Sequence, residues 1–219
     1  MRQACMRVLC AAMCLLLLTG VAAGARADYE SLCRVADIAG TNVIAWLEIP
    51  GASVCEPVMR HGTDDVYYAS HDAHGADSQY GTLFVQAGYN SADFSDPVTL
   101  IYGSSLREDA PFGMLQQMYS GSFNDCRQIW LHTPDGTREY RVFVAVPYSS
   151  IHILHYYDFQ RERRFEDFFD DVFSTRALGM HLAEDSRPVY GGGQVLILST
   201  GLRGDAMQRY LVMAGEVSK

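Results

Sequence analysis

The stretch "VLILSTGLRGDAMQRYLV", Val195–Val212, reads as two strands joined by a short loop. Arg209 opens the second strand, and a guanidinium fixed there can hold a carbonyl oxygen, an oxyanion or a carboxylate. Gly201 closes the first strand and brings no side chain to that place. Strand ends and the loops beyond them are where a rigid scaffold presents chemistry. The bland reading of Arg209 is a solvated strand residue paired with Asp205 or Glu216. Acid–base chemistry near neutral pH would call on a histidine, and the chain has 7. His61 and His74 fall in loop-like sequence, His71 at a helix end and His132 in a strand. His152 and His155 lie in the lead-in to a long helix, from which they could line a groove. Cys33, Cys55 and Cys126 form no C-x-x-C and no Cys/His cluster, so no metal or other cofactor is implied. Their odd number leaves open one bridge plus a thiol, or three buried thiols.

The elements that must position Arg209 follow from periodicity. Leu32, Val35 and Ile38 have helical spacing in a segment that stops at Gly40. Val43–Ile49 alternates as a strand up to Pro50-Gly51, and a second strand falls at Val54–Met59. Thr63–Asp72 predicts a short helix capped by Thr63 or Asp64. Gly81–Ala87 and Pro97–Gly103 are β-rich, and "APFGMLQQMYS" predicts a helical turn or two. "RQIWLHT" and "REYRVFVAVPYS" flank Pro134-Asp135-Gly136 as a hairpin. Phe165, Phe168, Phe169, Val172 and Phe173 make one face of an amphipathic helix that packs on a sheet. With 48% apolar residues in 219, the chain can bury one real core, and the sum is mainly β with peripheral helices.

Residues 1–27 differ in kind. Arg2 and Arg7 precede the apolar run Val8–Ala25, and Ala25-Arg26-Ala27 has the A-x-A form of a cleavage site. The segment is read as an export signal, or as a retained membrane anchor because the run is just long enough to span a bilayer. Residues 28–219 then form a single exported domain, either held at the outer face of the membrane or cell wall, or secreted after cleavage. Removing the segment takes away three arginines and no acids, moving the formal charge from −9 to −12. So acidic a domain is a poor partner for nucleic acid or anionic lipid.

At this point the chain resembles the class B sortases, cell-wall transpeptidases of Gram-positive bacteria. The matching segments run in order: "NVIAWLEIPGASVCEPVMRHGTDDVYYASHD", "YGTLFVQAGYNSADFSDPVTLIYGSS", "FGMLQQMYS", and "VLILSTG" with Arg209. The family patterns at these places are G-W-L-x-I, P-V, D-N-x-x-Y-L-x-H-D, G-S-x-F, Y-G-H-N, and L-S-T-C followed by R. The resemblance implies a β-barrel of eight strands with an N-terminal helix and a long helix before the penultimate strand. It implies a Cys thiolate that attacks a threonyl carbonyl of a sorting signal, a His that protonates the leaving amine, and an Arg that stabilises the oxyanion.

Two of those three groups are missing. Ser104 stands at the His of Y-G-H-N, and Gly201 stands at the Cys of L-S-T-C; Arg209 alone matches. Gly has no nucleophile and a serine hydroxyl does not titrate near neutrality, so the covalent route through a thiol is lost. Ser104, Ser105, Ser199 and Thr200 supply hydroxyls that could substitute only beside a base. Two positions tied by the resemblance to peptide binding also differ, with Asp65 for Asn and Ala69 for Leu. The expectation is a pseudo-sortase whose old groove, formed by Asp65, Ala69, Ser105, Ser199 and Thr200, holds a sorting-signal-like peptide or a surface or pilus protein. A hydroxyl-based hydrolase or transpeptidase is the alternative, and a surface domain with an idle groove is the third reading.

Overall fold

The computed structural model describes residues 29–217, apart from 39, 41, 116, 118–120, 122 and 184–186. Residues 1–27, read above as an export signal or anchor, and their A-x-A motif lie outside the described residues. In chain order the elements are α1 (Tyr29–Ala36), β1 (Val43–Ile49), β2 (Val54–Met59), β3 (Leu83–Phe84), β4 (Val98–Tyr102), β5 (Gln128–Thr133) and β6 (Gly136–Ser149). Then come α2 (Ile153–Tyr156), α3 (Glu162–Ser174), β7 (His181–Leu182), β8 (Val195–Leu202) and β9 (Asp205–Glu216). Short 3-10 turns punctuate the loops.

The strands run β5-β1-β2-β3-β4-β8-β9-β6, and β6 pairs back onto β5, so eight strands close into a barrel. β7 is a short addition on β6. Closure leaves no open sheet edge around the ring. The barrel is mixed, because β2–β3 and β4–β8 are parallel while the other pairs are antiparallel. β1, β2, β4, the β5–β6 hairpin and the last two strands stand where the sequence periodicity puts them.

Three apolar clusters follow from the period-two alternation of the strands. Ala45, Leu47, Leu131, Tyr140, Leu198 and Val212 fill the barrel. On one outer face, Phe165, Phe168, Phe169 and Val172 of α3 pack on Val144, Ile197, Leu211 and Met213. These α3 positions are spaced i, i+3, i+4 and i+7, which gives one buried stripe. A 13-residue helix is marginal alone, and each buried aromatic or aliphatic side chain contributes about 1.5–3 kcal/mol, so packing holds it in place. On another outer face, Leu32 and Ala36 of α1 cover Trp46 and Met59.

Two local expectations need correction. Thr63–Asp72 forms no α-helix, only a 3-10 turn at Tyr67–Ala69. The Asp64 carboxylate accepts from Val66 N–H at 2.9 Å, and this local turn takes the place of a helix cap. Of Gly81–Ala87, only Leu83–Phe84 is strand. Beyond it the Asn90 side chain replaces a backbone partner for β4: its amide nitrogen donates to Val98 O at 2.9 Å and its oxygen accepts from Leu100 N at 3.0 Å. Cys33, Cys55 and Cys126 carry thiols rather than a disulfide; Cys126 is buried and the other two are half-buried.

Candidate functional site

Alternation along β8 and β9 sorts the candidate residues. Leu196, Leu198, Tyr210 and Val212 face the barrel interior, whereas Ile197, Leu211 and Met213 face out. Period two therefore puts Ser199, Gly201 and Arg209 on the outer face and turns Thr200 inward, where it is fully buried. The ladders pair Gly201 with Arg209 and Ser199 with Tyr102. Next to the part of the barrel covered by α3, these residues floor a cleft of about 940 Å³.

Ala69, Ser104, Ser105, Ser199, Gly201 and Arg209 all line that cleft, together with Tyr102, His152 and Arg203. Thr200 and Asp65 do not line it. The Asp65 carboxylate instead accepts from Gly88 N–H at 2.9 Å and ties down the neighbouring loop. Segment 66–69 forms one wall, and Tyr67 is clamped between two histidine rings, His61 at 4.5 Å and His71 at 3.9 Å between centroids.

The loop after β4 is bolted to the floor. Gly103 N–H donates to Ser199 O at 3.1 Å, which extends the ladder by one bond. Ser105 Oγ donates to Gly201 O at 2.7 Å, and Arg203 Nε donates to Ser105 O at 3.3 Å. The Ser105 hydroxyl is thus committed to holding the loop. Ser104 Oγ accepts from Leu106 N–H at 3.4 Å and keeps its own proton to donate.

Two glycines on this loop and strand differ in what they require. A Cβ on Gly103 would sit 2.5 Å from both Leu83 Cδ2 and Phe112 Cδ2, so packing demands a glycine there. A Cβ on Gly201 would meet no atom within 4 Å, and its φ is not in the left-handed region. Neither backbone nor packing requires glycine at the place directly across from Arg209.

The charges are arranged around that gap. The Asp205 carboxylate accepts from Gln208 Nε2 at 2.8 Å and from Met207 N–H at 2.9 Å. Among the described residues Arg209 forms no ion pair, so the bland expectation of pairing with Asp205 or Glu216 is not met. Burial pushes the Tyr102 hydroxyl above the usual tyrosine range; Arg209 beside it pulls the other way, and Tyr89 and Asp65 add to the rise. Tyr102 therefore stays a neutral O–H donor near neutral pH.

Of the two histidines in the lead-in to the long helix, His152 lines the cleft and His155 does not. His152 reaches the cleft because the chain returns from β6 over the floor before α2 begins. Its Nδ1 accepts from His155 N–H at 3.0 Å. In the neutral ring the proton then sits on Nε2, which presents a donor rather than a base. Among the described residues no hydrogen bond joins a histidine to Ser104, Ser105, Ser199 or Thr200.

No family model and no curated protein matches the chain. Solved structures do. Staphylococcus aureus sortase B is similar at 17% identity, with 100% of each chain covered and a TM-score of 0.75. A mutant form of Clostridium perfringens sortase B is similar at 19% identity, covering 86% of this chain and 87% of that one, with a TM-score of 0.71. A Staphylococcus aureus sortase B–substrate complex is similar at 20% identity, covering 87% and 84%, with a TM-score of 0.69. Together with the closed eight-strand barrel and its covering helices, these likenesses establish that the chain has the class B sortase fold.

Proposed function

We propose that this chain is an exported member of the sortase family that binds a peptide or surface protein without cysteine transpeptidase activity. It serves as an accessory module in cell-wall or pilus assembly. The observation that carries the reading is Gly201: the outward position opposite Arg209 holds no thiol, although the backbone and the surrounding space would accept one. Ser104 compounds the loss, since its hydroxyl is no acid near neutral pH. In enzymes with a nucleophile–base pair, loss of the nucleophile alone costs about a millionfold in rate. The cleft remains open and lined on both walls. A sortase B of the same fold has been solved with its substrate, which supports a bound ligand in a cleft of this fold.

The test is calorimetric titration of the full chain with sorting-signal peptides. Saturable binding with the peptide recovered intact is expected; no binding to any such peptide overturns the reading. His152 in the cleft favours a second reading, a hydroxyl-based hydrolase. That reading requires His152 to give up its bond from His155 and turn toward Ser199 or Ser104.

A further inference from the structure

The charges of the cleft indicate which group of a peptide it would hold. The chain carries a formal charge of −9, yet the fully charged residues lining the cleft are Arg203, Asp205 and Arg209. Asp205 is already engaged by Gln208 and the Met207 N–H, and Arg203 by the Ser105 carbonyl. Arg209 is half-buried on the floor and, among the described residues, has no carboxylate partner. A guanidinium partly withdrawn from water is under-satisfied until an anion reaches it.

The space for that anion is present. Across the ladder from Arg209 is Gly201, whose missing side chain leaves nothing within 4 Å of a Cβ position. Ser199 lies on the same face two residues earlier, and Tyr102 is its cross-strand partner. One guanidinium fork and two hydroxyls therefore border one gap, and the fork's planar geometry matches a carboxylate. Above the floor the walls carry exposed apolar side chains, namely Val66, Leu106 and Ile151.

We propose that the cleft binds a peptide carboxylate against Arg209, with apolar residues of the same peptide lying along Val66, Leu106 and Ile151. This rests on the peptide-binding reading above and names the group recognised. The carboxylate comes either from the peptide's C-terminus or from an acidic side chain beside it.

The experiment measures fluorescence anisotropy of the full chain with three forms of one short labelled apolar peptide. The forms are a free C-terminus, an amidated C-terminus, and an amidated C-terminus preceded by Glu. The free acid is expected to bind at least about tenfold more tightly than the amide, in keeping with a charge-assisted bond. Tight binding of the free acid alone assigns the source to the terminus; tight binding of the Glu form alone, with the free acid no better than the amide, assigns it to a side chain; tight binding of both shows that Arg209 takes either carboxylate. In Arg209→Gln the free acid and the amide should bind alike, and Arg209→Lys should keep part of the difference. Equal affinity of all three forms for the wild type overturns the carboxylate proposal while leaving peptide binding intact. Failure of all three to bind overturns both.

Discussion

At the scale of single residues, Gly201 and Gly103 look alike in sequence and are opposites in the fold. Gly103 is packed under Leu83 and Phe112, so Gly103→Ala should destabilise by about 1–3 kcal/mol, the usual cost of overpacking. Gly201→Ala faces open space and should change stability by no more than about 0.5 kcal/mol. Urea unfolding of both variants checks the pair; a large loss at Gly201 would mean that glycine is structural there. That Ser104 and Gly201 stand where the resembled motifs carry His and Cys was legible in the sequence itself. The vacancy of the Gly201 position was not legible, since it depends on which atoms the fold brings near. Ser105 and Thr200 show the same limit. Both are hydroxyls next to the motif, but one is spent on Gly201 O and the other points into the barrel.

At the scale of elements, period two and period 3.6 carried most of the reading. β1 and β2 run over the residues that alternation and the Pro50-Gly51 turn indicate, and α3 buries the stripe of phenylalanines. Elements held by side chains rather than by ladders were not legible. Segment 81–87 is mostly loop because Asn90, distant in pattern but close in space, satisfies β4. The barrel seam is another such case. His132 on β5 is bonded through Nε2 to Glu48 Oε2 of β1 at 3.1 Å and through Nδ1 to Thr137 Oγ1 of β6 at 2.9 Å. One buried ring thus ties three strands where the barrel closes. His132→Ala leaves both partners without it and should cost about 1–3 kcal/mol in chemical denaturation. A neutral effect would show that the seam is held by the backbone ladders alone.

At the scale of the whole molecule, a closed barrel supports a cleft lined by Ser104 and Gly201. The outer faces of β4, β8 and β9 still present Tyr102, Ser199 and Arg209 to one cleft, because closure of the barrel fixes their register. His152 arrives there from a separate part of the chain and uses its Nδ1 to start α2. The proposed role is that such a molecule selects and holds a ligand without making or breaking a bond in it. The most direct measurement is the mass of both protein and peptide after prolonged incubation of the wild-type chain with sorting-signal peptides. Both masses are predicted to be unchanged. A cleaved peptide or an acylated protein, formed by the wild type and lost in Ser199→Ala or Ser104→Ala, would contradict the account.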